Sequence, residues 1–377
     1  MRHTIQPMHI GIDCRLPTYR LGGISQYVIH LIQALAAVAA EERFTIFHSR
    51  KEERDFRPPG DGRFARGRLW TPCHHRLERQ ALAVELWPQG LDIYHSPDFI
   101  PPAGGAERRI ITVHDLTFLH YPDFLTAESR RYYADQIAWA VSVADHIIAD
   151  SEATRADIIS LLDVAPSKIT AIYLAANPIY STTPTPNDLT ATAAEYNLAA
   201  GFLLSVGTLE PRKNLPLLLR AYATLRARHG VSAPLVLVGS KGWIYDEIFA
   251  TIDQLGLRDH VRHLTDVPDD KLAHLYHLAG VLAFPSHYEG FGLPALEAMH
   301  CGCPVVASDR GSLPELIGDA GLSISPEGEP GWVEALATVL ADSDLAEALR
   351  QKGYAQARRF TWQATAHQTL AVYRNSR

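Results

Sequence analysis

The chain has 377 residues, of which 47% are hydrophobic and 20% charged, and its net charge is −7. This length predicts two domains of roughly 150–200 residues rather than one core. The acidic balance argues against a nucleic-acid partner. Because the sequence has no apolar run of about 18 residues and no apolar leader, we expect neither a membrane-spanning helix nor a secretory signal, and hence a cytoplasmic location.

Apolar strand-like runs alternate with amphipathic helical stretches nearly throughout the chain. This alternation predicts an α/β fold in which parallel sheets are built from strand–helix units. In the first half, Ser151 suits the N-cap of a helix. The predicted elements of this half are strand 9–15, helix 23–39, strand 44–48, strand 91–95, strand 110–113, helix 126–143, strand 146–149, helix 152–162 and strand 168–174.

One segment of the first half is basic. Residues 50–79 hold nine Arg and Lys against five Asp and Glu, a local charge of +4, with three aromatic residues interleaved. One interpretation is a solvated, partly mobile surface loop. The other is a patch that faces anionic lipid headgroups or a lipid-diphosphate acceptor, which would place the protein peripherally on the inner face of the membrane.

Residues 181–198 are predicted to form a linker, because the stretch 177–187 is rich in Pro, Thr and Asn. We expect two Rossmann-like, doubly wound domains, 1–180 and 199–359, joined at a hinge and facing a central cleft. Ligands of such sheets bind outside the carboxyl ends of the strands. The predicted elements after the linker are strands 202–206, 235–238, 261–263, 281–284, 305–307 and 322–324, helices 214–229, 245–255 and 269–279, and consecutive helices from 332 to 377.

Two candidate sites follow strands of the first half. Gly22 and Gly23 stand at the start of a helix, where paired glycines allow a phosphate or sugar to approach the backbone. They do not form the dinucleotide fingerprint G-x-G-x-x-G, and a flexible loop before a helix is the alternative. His114 comes directly after a strand, where it can hydrogen-bond a substrate near neutral pH. The alternative is a surface or structural histidine.

The second half offers a cationic loop between a strand and a helix. Gly207 is followed closely by Arg212 and Lys213, which can neutralise a diphosphate, Arg in a bidentate manner and Lys as a point charge. Cations at the first turn oppose the helix dipole, so their placement favours an anionic ligand over a merely solvated helix start.

The segment 285–302 is predicted to contain the end of a strand, a loop that carries Glu289, and a short helix that carries Glu297. Pro294 suits the start of this helix and Gly302 its end, so the Gly290 and Gly292 amides lie at a positive helix terminus suited to a diphosphate. The two glutamates are about 12 Å apart along the chain, too far for a glycosidase pair. One would hold a transferred sugar and the other a ribose. The alternative for Glu297 is a salt-bridged helix glutamate.

No metal or other cofactor is predicted. The four cysteines lack the paired spacing of a disulfide framework or a zinc site. Asp342-Ser-Asp344 has an Asp-x-Asp spacing, but it lies between two predicted helices rather than after a strand. Asp342 therefore suits a helix N-cap instead of a metal ligand.

The segment from Glu289 to Glu297 resembles the E-x7-E motif of the retaining glycosyltransferases of family 4 (group 1). The resemblance extends over about 350 residues. It includes Gly22-Gly23, Val113-His114-Asp115, Gly207 to Lys213, Val238-Gly239, Pro304 to Ser308 and Phe360-Thr361-Trp362. It implies the GT-B fold, with the nucleotide-sugar donor held by the C-terminal domain, the acceptor by the N-terminal domain, and the final helix, about 360–377, returning to the N-terminal domain.

The resemblance also implies roles for single residues. Arg212 and Lys213 would bind the donor diphosphate, Glu289 the sugar hydroxyls, Glu297 the ribose hydroxyls, and His114 would lie near the donor sugar. The chain departs from the family at Thr208, where many members have Arg, and Arg212 would supply the missing charge. The further donor-binding positions carried over are Gly22, Gly23, Gly207, Gly290, Phe291, Gly292 and Leu293.

The implied activity is a retaining, metal-independent hexosyltransferase. With Thr208 in the diphosphate loop, the chain looks like the family members that transfer mannose from GDP-mannose. Those members act on an acceptor glycan or a lipid-linked sugar in the assembly of cell-surface polysaccharides or glycolipids. There are three alternatives. The chain could use another donor, such as a UDP-sugar or dTDP-rhamnose. It could instead be a nucleotide-sugar epimerase or hydrolase, or a non-catalytic protein that binds a sugar nucleotide.

Overall fold

The computed structural model describes residues 7–19, 22–125 and 127–376. The chain forms two compact units. The first takes the chain up to His120, Ala127–Ala175 and the residues from Thr361 onward, and the second takes Tyr121–Thr126 and Ala176–Phe360. No helix within the described residues is both long and apolar enough to span a bilayer.

The first unit is built on a parallel sheet of seven strands in the order β3-β2-β1-β4-β5-β6-β7. The sequences of its central strands are nearly continuous apolar runs, as is typical of parallel sheets that helices cover on both faces. The strands are β1 His9–Asp13, β2 Arg43–Ser49, β3 Phe64–Leu69, β4 Leu91–Ser96, β5 Ala106–Val113, β6 His146–Ala149 and β7 Ile169–Ala171.

The second unit has a parallel sheet of six strands in the order β10-β9-β8-β11-β12-β13. In both sheets the order reverses once, between β1 and β4 and between β8 and β11, which is the topological switch point where ligands bind in doubly wound folds. The strands are β8 Leu203–Val206, β9 Leu235–Val238, β10 Val261–Leu264, β11 Val281–Phe284, β12 Val305–Ser308 and β13 Gly321–Ile324.

Helices follow most strands. Those of the first unit are α1 Gly23–Val38, α2 Glu78–Leu86, α3 Thr117–His120, α4 Ala127–Val143, α5 Glu152–Leu162 and α14 Trp362–Asn375. Those of the second are α6 Pro186–Glu195, α7 Leu215–His229, α8 Asp246–Gln254, α9 Asp269–Leu278, α10 Leu293–His300, α11 Leu313–Ile317, α12 Glu329–Ala341 and α13 Ser343–Ala357. Short 3-10 turns cover Leu16–Thr18, Trp87–Gln89, Pro122–Phe124, Pro166–Lys168, Pro178–Ser181 and Pro211–Lys213.

The final helix α14 packs in the first unit, as the family resemblance implies. The Tyr373 hydroxyl lies 2.7 Å from Nδ1 of His95, and the Thr365 hydroxyl donates to the Tyr173 carbonyl over 2.7 Å. Two predicted N-caps are also confirmed. The Ser151 hydroxyl accepts from the first turn of α5, and the Asp342 carboxylate accepts from the first turn of α13.

The predicted linker at 181–198 contains a helix, α6. Thr185 and Asp188 form a capping box at its start, with Pro186 in the first turn. The helix is held to α9 by Thr192, which lies 2.8 Å from His274. The Thr and Pro residues that suggested a linker are therefore the residues that begin a helix, because Pro suits the first turn and Thr the N-cap.

The segment 50–79, predicted as a surface loop, is only in part a loop. Strand β3 lies inside this segment and pairs with β2 along its whole length. Three arginines form ion pairs with the carboxylate two positions earlier: Arg54 with Glu52 at 2.7 Å, Arg57 with Asp55 at 2.7 Å, and Arg63 with Asp61 at 2.5 Å. Much of the basic charge is thus neutralised locally.

Candidate active site

In the second unit, the loops after β8 and β11 meet at the switch point of the sheet. The amide of His287 donates to the Arg212 carbonyl over 2.8 Å. Asn214, which adopts a positive φ of 52°, donates from its side chain to the Pro285 and Pro326 carbonyls. These hydrogen bonds fix the two loops to each other, so the charged side chains that they carry are held at one place.

Those side chains form an ionic cluster of Glu210, Arg212, Lys213 and Glu289, in which Arg212 is half-buried and the other three are buried. One Glu289 oxygen accepts from Lys213 Nζ over 2.6 Å and the other from Arg212 over 2.5 Å. Arg212 also pairs with Glu210 at 2.7 Å. The structure therefore brings together the three charged residues predicted for the diphosphate and the sugar, and adds Glu210, whose position beside Arg212 sequence reasoning missed.

Burial and charge act in opposite directions on the pKa values of this cluster. Glu289 is 7% exposed. Burial alone would raise the pKa of its carboxyl, but the two cations, Arg212 and Lys213, hold that pKa at about 2. Burial and the neighbouring Arg212 lower the pKa of Lys213, against the pull of Glu289. Glu289 is thus ionised near neutral pH and holds the two cations in place.

Gly207 makes room for Lys213. It adopts a φ of +144°, and a Cβ there would lie 2.9 Å from Lys213 Cε and 3.2 Å from Nζ. The ammonium group in turn lies 4.8 Å from the ring centre of Phe284. Gly207 therefore leaves the space that the lysine stem occupies, and its predicted contact with the donor stays a prediction.

The predicted helix after Glu289 is α10. Gly292 occupies its N-cap with a φ of 101°, and Pro294 lies in its first turn. The Glu289 carbonyl is fixed by the amide and the hydroxyl of Ser312, each at 3.0 Å. Gly290 and Phe291 are buried and Leu293 half-buried at the start of this helix. The Ala295 amide of the first turn donates to the Gly292 carbonyl over 3.0 Å, and the binding of an anion at this helix start stays a prediction.

Glu297 lies within α10 and has a tyrosine partner. Its carboxylate accepts from the Tyr276 hydroxyl of α9 over 2.9 Å. Burial is the main cause that raises the pKa of Glu297 to about 7. Among the described residues Glu297 forms no ion pair, so the alternative of a salt-bridged helix glutamate is wrong. Sequence reasoning missed Tyr276, because a tyrosine in an amphipathic helix gives no signal of its own.

His114 joins three strand ends of the first unit. Its Nδ1 lies 2.5 Å from the Asp150 carboxylate after β6, and its Nε2 lies 2.7 Å from the Pro97 carbonyl after β4. Both partners are acceptors, so both ring nitrogens carry protons. Burial would lower the pKa of His114, but the Asp150 carboxylate raises it to about 9. The contact of His114 with a donor sugar therefore stays a prediction.

Gly22 and Gly23 lie at the start of α1, with Gly22 as its N-cap. The carbonyl of Gly22 accepts from the Gln26 amide over 3.0 Å. The loop residues 20–21, which precede the pair, lie outside the described residues. The position of the two glycines is therefore the predicted one, and their contact with a ligand stays a prediction.

Neither the cysteines nor the carboxylates form a metal centre in the described part of the chain. No group of three or more His, Cys, Asp and Glu side chains is arranged to hold an ion there. Cys301 and Cys303 are buried free thiols, and burial raises the pKa of Cys303 to about 12. They pack at the end of α10.

Comparison with known proteins identifies the family of the chain and agrees with the fold. Residues 195–356 match the family model of group 1 glycosyl transferases, and residues 21–178 match that of glycosyltransferase family 4. The chain is 33% identical to the O-antigen chain mannosyltransferase B of Escherichia coli over 372 residues, which cover 94% of this chain and 97% of the relative.

Two solved structures share the fold at low sequence identity. The sucrose-phosphate synthase of Thermosynechococcus elongatus has a TM-score of 0.76 at 23% identity, with 98% of each chain covered. HepE of Anabaena, solved in complex with UDP-glucose, has a TM-score of 0.76 at 18% identity, covering 98% of this chain and 100% of its own. The fold is the GT-B fold, and the chain belongs to the group 1 glycosyltransferases of family 4.

Proposed function

We propose that this hexosyltransferase moves mannose from GDP-mannose to a hydroxyl of an acceptor glycan or lipid-linked sugar, with retention of configuration and without a metal. The observation that carries the proposal is the similarity to an O-antigen chain mannosyltransferase, because it covers 94% of this chain and 97% of the relative. The assembly of a cell-surface polysaccharide or glycolipid is the process in which we place the reaction.

The ionic cluster would stabilise the leaving diphosphate. Arg212 has five N–H donors and Lys213 three, so each can keep its contact with Glu289 and still donate to a phosphate oxygen. Because Glu289 and Glu210 hold these cations before the donor binds, little reorganisation is needed as charge develops on the leaving group. The amides from Gly290 to Leu293, at the start of α10, would complete the cradle.

The two glutamates would bind opposite ends of the donor. An ionised carboxylate offers about four acceptor positions, so Glu289 can accept from sugar hydroxyls while it holds the two cations. Glu297 would accept from the ribose hydroxyls while Tyr276 fixes its other oxygen. The predicted contact of His114 with the donor sugar would require one of its two hydrogen bonds to open, and we propose that His114 chiefly positions the Pro97 and Asp150 loops.

We further propose a peripheral membrane location on the cytoplasmic side, through the face that carries residues 50–79. The exposed side chains there include Trp70, 68% exposed, and nearby in sequence Trp87, 81% exposed, at the end of α2. Arg50 lies over the Trp70 ring at 4.7 Å. Tryptophan beside arginine suits the interface between headgroups and acyl chains. Binding to anionic rather than zwitterionic vesicles, reduced by Trp87→Ser, is the expected result of a sedimentation assay.

The donor can be identified by thermal unfolding with a panel of GDP-, UDP-, dTDP- and ADP-sugars. A ligand that binds only the native state raises Tm, and we expect the largest increase with GDP-mannose. A larger shift with a UDP-sugar or dTDP-rhamnose would replace the donor in this proposal. Turnover of the donor at the same rate without acceptor would instead favour an epimerase or a hydrolase.

A further inference from the structure

The loop after β12 supports the loop that carries Glu289. Strands β11 and β12 are parallel neighbours, with Phe284 beside Ala307, so the loops that follow them leave the sheet at the same edge. The loop after β12 runs from Asp309 to Ser312 and leads into α11. Ser312 therefore reaches the Glu289 loop although it lies 23 positions further along the chain.

Ser312 directs both of its hydrogen-bond donors to a single acceptor. Its amide and its hydroxyl each donate to the Glu289 carbonyl over 3.0 Å, and the residue is fully buried. A serine at the start of a helix ordinarily uses its hydroxyl oxygen to accept from an amide of the first turn. Within α11, whose residues are all described, the Ser312 hydroxyl accepts no such bond. The hydroxyl therefore serves the Glu289 loop and not its own helix.

Gly311 allows this close approach. It has a φ of +58°, and a Cβ there would overlap the Glu289 carbonyl oxygen and lie 3.0 Å from the Glu289 nitrogen. Because these are backbone atoms, a larger residue would push the two loops apart. At the other end of the Glu289 loop, a Cβ on Gly292 would lie 2.6 Å from Leu313 Cδ2. The turn into α11 thus contacts the loop both at Glu289 and at the start of α10.

Glu289 is therefore held at its backbone as well as at its side chain. Arg212 and Lys213 hold the carboxylate, while Ser312 holds the carbonyl. Groups that are fixed before the reaction stabilise the transition state because they need not reorganise as charge develops. A misplacement of about 1 Å can cost about 10²-fold in rate. The hold on the Glu289 carbonyl consequently bears on catalysis and not only on folding.

We propose that Ser312 is a positioning residue of the transfer reaction. It fixes the Glu289 carbonyl so that the Glu289 carboxylate stays where the transferred sugar binds, and Gly311 leaves the space for this contact. The inference rests on the proposed contact of Glu289 with the sugar. It goes beyond that proposal because it assigns a role to a residue that acts only through Glu289.

The first test is the Ser312→Ala variant, which removes the hydroxyl bond and keeps the amide bond. We expect kcat to fall by about tenfold, measured at saturating donor with Tm recorded on the same sample. Ser308→Ala is the matched control. Ser308 ends β12 and is equally buried, and its hydroxyl has no hydrogen-bond partner among the described residues. The kcat of this control should stay within twofold of the wild type.

A double-mutant cycle separates positioning from a general structural effect. If Ser312 acts through Glu289, Ser312→Ala should change kcat by less than twofold in a Glu289→Gln background. A general loss of structure would instead lower kcat by the same factor in both backgrounds. The donor Kd, measured by calorimetry on the same proteins, gives the same comparison without turnover. The donor is GDP-mannose, or the sugar nucleotide that replaces it in the thermal-unfolding panel.

Three results would overturn the inference. They are a folded Ser312→Ala protein with kcat within twofold of the wild type, an equal loss of kcat in Ser308→Ala, and losses that add in the cycle. Failure of the proposed sugar contact would appear separately, as normal turnover of Glu289→Gln itself.

Discussion

Replacement of Lys213 by methionine removes a buried charge from the ionic cluster while it keeps most of the stem. The ammonium of Lys213 lies 2.6 Å from Glu289 and would face the leaving diphosphate. A unit charge about 4 Å from a phosphate oxygen, at an effective dielectric constant of about 20, is worth about 4 kcal/mol. Because Glu289 already offsets part of this charge, we expect a loss of about 3 kcal/mol in transition-state stabilisation, which lowers kcat by about 10²-fold.

The assay is the initial rate of transfer at saturating donor, with Tm measured on the same sample. Arg212 still pairs with Glu289 in this variant, so the carboxylate keeps a counter-charge and the protein should stay folded. Lys352→Met, at an exposed lysine that pairs with Asp319, is the matched control and should keep normal kcat. A folded Lys213→Met protein with kcat within threefold of the wild type would refute the leaving-group role.

Three further predictions concern Glu297, Gly207 and His114. Glu297→Gln should raise the donor KM far more than the acceptor KM, and Tyr276→Phe should raise it by a smaller factor. Because the pKa of Glu297 is raised to about 7, donor affinity of the wild type should fall as pH drops below 7, and a flat profile would contradict the ribose role. Gly207→Ala should reduce kcat at least tenfold, since its Cβ would meet Lys213 Cε at 2.9 Å; unchanged turnover would show that the lysine stem can move freely. The pKa of His114 is raised from 6.5 to about 9, so its stabilisation is complete below about pH 6.5 and is lost as pH rises towards 9. The free energy of unfolding should therefore fall by up to about 1.4 kcal/mol per pH unit in that window. It is measured by urea titration at several pH values. An equally steep fall with pH in the His114→Gln variant would exclude this histidine as the cause.

The sequence predicted most strands because their apolar runs are buried by helices on both faces of each sheet. The elements it did not predict include β3 and α6, which were missed for two different physical reasons, and the helices α2, α3 and α11. The strand β3 has basic side chains in its middle and only its end residues, Phe64 and Leu69, are fully buried. In α6, the Pro and Thr residues that resemble a linker act as a helix start.

For the site, the order of residues along the chain predicted which strand ends carry charge, but not which charges meet. Arg212 and Glu289 are 77 positions apart and form an ion pair because β8 and β11 are neighbours at the switch point. That pairing depends on the strand order, which no local pattern reveals. The same reason explains why the two acceptors of His114, on loops after β4 and β6, were not predicted.

The measurement that tests the central claim most directly is the anomeric configuration of the product made from GDP-mannose in the presence of a chelator. One-bond carbon–proton couplings of the new linkage, measured by NMR with a carbon-13-labelled donor, report this configuration. We predict a glycosidic mannose with the same configuration as in the donor and undiminished transfer under chelation. A product of opposite configuration, or transfer that requires a metal, would contradict the account.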